Sequence, residues 1–137
     1  MAYHFGKTLA DSLQVPIGLI CNAVGGTTTE SWIDRSTLER AFPAILRNWF
    51  HGDFGMKWAR ERALLNVANS TNPLQQHPYS PAYMYETGLT PLSGYAVKGV
   101  VWYQGESNAH NIELHERLFP LLEKSWRNFF HQSNLPF

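Results

Sequence analysis

Ile17 to Val24 reads IGLICNAV, and Val97 to Tyr103 reads VKGVVWY. Each is a short apolar run closed by a polar, glycine-containing turn: Gly25-Gly26-Thr27-Thr28-Thr29-Glu30 after the first, Gln104-Gly105-Glu106-Ser107-Asn108 after the second. Runs of this length, apolar on both alternating faces, predict strands buried in a parallel sheet. Around them the sequence is helical. Phe5, Leu9 and Leu13 form one stripe, ended by Val15-Pro16 because proline disfavours helix at the residue before it. Ser36 with Glu39 offers a capping box for a helix running to about Phe50, bent near Pro43, with Asp34 and Arg35 as a solvated pair before it. Met56 to Val67 predicts a third helix, and Ile112 to Phe130 a long amphipathic one interrupted by Pro120. Between them, Asn69 to Pro91 is a long proline-bearing loop of the kind that often carries function. Helix, strand, helices, strand, helix predicts an α/β domain with a parallel sheet. Two strands are few for such a sheet, so the chain reads as part of a larger fold.

The chain has 137 residues, enough for one domain that buries about two-thirds of its unfolded surface. With 44% hydrophobic residues and a formal net charge of zero it is neither a disordered chain nor a basic nucleic-acid binder. No apolar run is long enough to span a membrane, and the opening MAYHFGKTLADSL lacks a secretory-signal profile. A single cysteine, Cys21, within an apolar run, reads as an inert buried thiol and leaves no internal disulfide or cysteine-built zinc site. The six histidines show no metal-ligand spacing, so neither metal nor cofactor is expected.

In open α/β sheets ligands bind beyond the carboxyl ends of strands. The two turns are therefore expected at one edge, with Ile17–Val24 and Lys98–Tyr103 as adjacent or near-adjacent parallel strands. Glycine lets backbone N–H groups approach a ligand, and an N–H or a side-chain amide can stabilise an oxyanion. Trp32, Trp102 and Tyr103 flank the turns and read either as sugar-stacking groups or as wall packing.

VPIGLICNAVGGTTTESW (Val15 to Trp32) and KGVVWYQGESNAHN (Lys98 to Asn111) resemble the second and third signature blocks of the sialate O-acetylesterase family, carbohydrate esterases of the SGNH/GDSL hydrolase superfamily. Gln75 to Gly99 resembles the approach to the third block. The resemblance implies a flavodoxin-like three-layer α/β/α fold, incomplete here, with residues 1–137 as a single partial domain. It also implies hydrolysis of O-acetyl esters on sialic acid or related sugars through a serine acyl-enzyme. The family's Gly-Gln-Ser-Asn nucleophile block and its Asp/His pair do not occur in this sequence. What transfers is the oxyanion-hole blocks: Gly25 or Gly26 from one, Gln104 with Glu106 and Asn108 from the other. Trp32, His77 and Tyr103 are the expected substrate contacts. An O-acetylated sugar is the implied partner, together with a second chain or further segments completing the domain. A periplasmic or secreted location is implied by the resemblance alone. Two other readings stay open: a non-catalytic carbohydrate-binding or interaction module, and a minimal hydrolase using Ser107 with His110 or His77.

Overall fold

The computed structural model describes residues 2–137, and among them there are helices and turns but no strand. The expected parallel sheet, and with it the flavodoxin-like α/β/α architecture, is therefore corrected. Residues 16–24 and 99–104 take up no regular secondary structure and form no ladder, and Val15 and Lys98 are bends. Leu19, Ile20 and Val24 are 47%, 51% and 40% exposed where burial on both faces was expected, and Val101 is 63% exposed. The physical reason is that extended backbone becomes a strand only when a second strand lies alongside to take its N–H and C=O groups. Here Val100 N–H finds only the carbonyl of Pro136, at 2.9 Å, and the Val97 carbonyl accepts from the Gln132 side chain at 3.1 Å. Cys21 lies in the first of these runs and is exposed, not buried.

Among the described residues there are five α-helices: α1 (Ala2–Leu13), α2 (Arg35–Ala41), α3 (Pro43–Asn48), α4 (Lys57–Ala68) and α5 (Ile112–Phe129). In α1 the buried position is Gly6, where the side chain of Leu19 crosses so closely that an added Cβ would lie 2.7 Å from its Cδ1. The expected cap at Ser36 moves to Asp34, whose Oδ1 accepts the Thr37 N–H at 2.8 Å and the Ser36 hydroxyl at 2.6 Å. Asp34 is thus the N-cap, and Ser36 steadies it. The chain breaks at Phe42 because Pro43 follows, and Pro43 then starts α3, where its missing N–H costs nothing.

The largest helix sets the core. Asn111 caps α5 by accepting the Leu114 N–H at 3.0 Å, and Leu114, Leu118, Leu122 and Trp126, four apart, form its buried stripe. Pro120 lies on the exposed side, where the carbonyl it leaves unpaired can meet water, so the helix continues past it. Against this stripe packs a single 3₁₀ turn, Thr29–Trp32, in which every residue is buried. Trp126 Nε1 donates to the Trp32 carbonyl at 2.8 Å, and the Trp32, Trp102 and Trp126 rings meet at 5.8–6.2 Å between centroids. The polar turn after the first apolar run is thereby anchored to the heart of the molecule.

Candidate functional site

The site begins with two glycines, Gly26 and Gly105, that bend the chain at the ends of its apolar runs. Gly26 has φ 83°, in the left-handed region that favours glycine, and a Cβ there would run into the Tyr79 hydroxyl. From this bend the chain enters the Thr29–Trp32 turn, braced by Ser31 Oγ donating to the Thr28 carbonyl at 2.7 Å. Gly105 opens the second bend, and Glu106–Asn108 form another 3₁₀ turn before α5. The Ser107 hydroxyl donates to the Gly26 carbonyl at 3.0 Å, and the Ser107 carbonyl accepts the Met56 N–H at 3.3 Å. The two turns meet without a sheet to align them.

Side chains lock this junction. Asn108, 1% exposed, accepts at Oδ1 from the Thr29 N–H and from Gln104 Nε2, both at 3.0 Å, with Thr29 Oγ1 at 3.2 Å. Its Nδ2 donates to Glu30 Oε2 at 3.1 Å, while Glu30 Oε1 accepts from Trp49 Nε1 at 2.8 Å. Gln104 donates its second N–H to the Thr27 carbonyl at 3.0 Å and accepts the Thr29 hydroxyl at Oε1, 2.7 Å away. The Thr29 hydroxyl also stands 3.2 Å from His115 Nδ1. Both N–H groups of Gln104 are therefore engaged within the protein. Glu30 is fully buried, and burial pushes its carboxyl above the ordinary range, partly offset by the hydrogen bonds it accepts from Asn108 and Trp49.

The other expected site residues fall in different surroundings. Gly25 is exposed, and its carbonyl accepts from the Tyr79 hydroxyl at 3.2 Å. Glu106 is exposed at the start of the second turn. Tyr103 is 76% exposed. Trp32 is buried in the tryptophan cluster, its Nε1 donating to Thr27 Oγ1 at 3.0 Å, so its ring packs as a wall and offers no face to a sugar. His77 is half-buried in the long loop: Nδ1 accepts the Tyr79 N–H at 3.2 Å and Nε2 lies 3.0 Å from the Asn66 amide. Burial, followed by the charge of Arg62, lowers its pKa and favours the neutral ring. Ser107 gives its hydroxyl to Gly26 rather than to a histidine, which leaves the minimal-hydrolase arrangement without its base.

Sequence reading assigned no individual site role to Thr29, Glu30, His115, Tyr79 or Trp58. Tyr79 meets Trp58 edge to face at 6.1 Å and His77 edge to face at 4.4 Å, and the group borders the Gly25-Gly26 bend. Among these, only Glu30 carried a legible signal: a lone carboxylate in a run of small hydroxyl residues before a tryptophan. Among the described residues no group of three or more His, Cys, Asp or Glu side chains is placed to hold a metal ion.

Comparison with known proteins supplies the remaining observation. The chain is 36% identical over 139 residues to the sialate O-acetylesterase of Mus musculus, a match covering 96% of this chain and 25% of that protein. The chain is homologous to the sialate O-acetylesterases. The sialate O-acetylesterase of Rattus norvegicus is 33% identical over 140 residues, covering 96% of this chain and 26% of the relative. For that of Homo sapiens the figures are 31% over 135 residues, 98% and 22%. The chain thus spans about a quarter of the length of these curated relatives. No protein-family model matches it, and no solved structure does.

Proposed function

We propose that this chain supplies the oxyanion-binding part of a single esterase domain that removes O-acetyl groups from sialic acid or related sugars. The observation that carries the reading is the meeting of the Gly25-Gly26 and Gln104–Asn108 turns in a homologue of the sialate O-acetylesterases. In this mechanism a serine outside the two turns attacks the acetyl carbonyl, and the acyl-enzyme is then hydrolysed by water. The negative oxygen formed in each step needs preorganised donors. The backbone N–H groups at the Gly25-Gly26 bend supply one. Gln104 supplies another by releasing the Thr27 carbonyl, because a charged acceptor makes a bond about twice as strong as a neutral one. Asn108 holds Gln104 and Thr29 in place, and exposed Glu106 is available to a sugar hydroxyl or to another catalytic group.

A chimera tests the reading. Residues 15–32 and 98–111 are installed in place of the matching blocks of the mouse enzyme, and acetate release from an O-acetylated sialic acid is measured. Release within about tenfold of the parent, a transition-state difference of ~1.4 kcal/mol, is expected. A folded chimera that binds the sugar but releases no acetate would refute it.

A further inference from the structure

We infer that Glu30 is a positioning residue: its buried carboxylate sets the direction of the Asn108 amide and, through it, the direction of Gln104 across the junction of the two turns. The catalytic meaning of this role rests on the esterase reading above, but the role itself is a property of the hydrogen-bond chain.

A primary amide fits a site equally well in shape when its oxygen and nitrogen are exchanged, so only its partners decide which end points where. At Asn108, Oδ1 faces a backbone donor, Thr29 N–H, which cannot reverse its role. Nδ2 faces Glu30 Oε2, which as a carboxylate oxygen accepts. With Asn108 fixed, its Oδ1 requires that Gln104 present Nε2, so Gln104 Oε1 must face the Thr29 hydroxyl. Glu30 is suited to this because its other oxygen is occupied on the opposite side by the Trp49 indole, a group that only donates. Both carboxylate oxygens thus meet donors, and Glu30 is 0% exposed, so water does not compete for them. The Glu30 backbone also joins the site to the long loop, its carbonyl accepting the Ala82 N–H at 2.9 Å. An amide in place of the carboxylate would turn an N–H toward either Trp49 or Asn108, both donors.

This polarity makes a reciprocal exchange the decisive test. Glu30→Gln alone creates one donor–donor clash. Asn108→Asp alone sets two carboxylates against each other. Glu30→Gln combined with Asn108→Asp reverses a single hydrogen bond and keeps every other: the introduced carboxylate still accepts from Thr29 and Gln104, and the introduced amide still accepts from Trp49. Backbone and side-chain amide signals of the 137-residue chain are read by proton–nitrogen NMR. Each single variant should displace the Gln104 side-chain signals and the Gly26 and Thr29 backbone signals, or unfold the chain. The double variant should return them close to their wild-type positions. Trp49→Phe, which removes the other donor to Glu30, should lower the melting temperature yet leave the Asn108 and Gln104 signals in place.

Single variants with undisturbed Gln104 signals, a double variant no better than the singles, or equal displacement by Trp49→Phe would each overturn the inference. Failure of the esterase reading would show elsewhere, as absence of acetate release from the chimera carrying the wild-type turns.

Discussion

Asp34 shows how much one side chain settles locally. Burial of its carboxyl opposes ionisation, but hydrogen bonds from Ser36, Thr37 and Ser125 outweigh it and hold the pKa below the ordinary value. For a carboxyl depressed on folding, the stabilisation is present above the unfolded pKa and disappears as pH falls through the folded one. Asp34→Ala should therefore cost about 1 kcal/mol at neutral pH, as loss of an N-cap typically does. Acid titration of the two proteins followed by thermal melting should show that difference shrinking below about pH 3.8. At the other end of the site, Gly26→Ala meets both a φ of 83° and the Tyr79 hydroxyl. A loss of about 1–3 kcal/mol in a denaturant midpoint analysis is expected. In an active enzyme bearing these turns, Gln104→Ala should lower kcat by about 10²-fold or more with KM nearly unchanged, since an oxyanion donor acts on charge present only in the transition state. A raised KM with kcat intact would make Gln104 an ordinary binding contact.

Among the elements, α5 holds the most of the fold and was the most legible. Its apolar spacing and its length are sequence features, and its bounds agree with expectation to one residue, while the Asn111 cap emerged from the structure. Leu118 and Leu122, both 0% exposed, sit where the helix meets the Thr29–Trp32 turn. Leu118→Ala should cost about 2–5 kcal/mol. Trp126→Phe should cost about 1–3 kcal/mol because the buried Trp32 carbonyl loses its donor. Both are checked by urea unfolding, and Trp126→Phe should in addition loosen hydrogen-exchange protection in the Thr29–Trp32 turn. The two apolar runs were legible as apolar segments, but the strands expected of them do not form. Hydrophobicity and β-branching say that a segment suits a pleated, half-buried surface. Whether a neighbour is present at ladder distance is a tertiary fact, and here residues 97–104 obtain from the C-terminal segment one backbone bond to Pro136 and one side-chain bond from Gln132.

At the scale of the whole molecule, the outward-facing apolar residues of these runs have a consequence in solution. Val15, Leu19, Ile20, Val24 and Val101 are each 40–63% exposed, and large apolar side chains left open to water favour association. Light scattering should show a mass that rises with concentration, and Ile20→Lys should reduce the rise. In catalysis the molecule should be silent by itself: acyl transfer needs a nucleophile, its base and an orienting group in mutual reach, and Ser107 spends its hydroxyl on Gly26. Hydrolysis of an activated acetyl ester by the 137-residue chain should not exceed background. Turnover abolished by Ser107→Ala would reinstate the minimal hydrolase.

Local events were legible in the chain: four helical stretches within a few residues of their observed bounds, the second of them divided in two at Pro43, and the glycine bends that close the two apolar runs. The sequence also carried the family likeness, because the GGTTTESW and WYQGESN strings are contiguous in the chain. Long-range packing alone fixed that the runs do not pair as a sheet, that Trp32 belongs to the core, and that both N–H groups of Gln104 are engaged. It alone brought Glu30 and Asn108, 78 positions apart, into one hydrogen bond. The division has a physical cause. Caps, turns and helical stripes are fixed by residues within a few positions of one another, whereas ladders and buried polar networks depend on which distant segments the packing of α5 brings into contact.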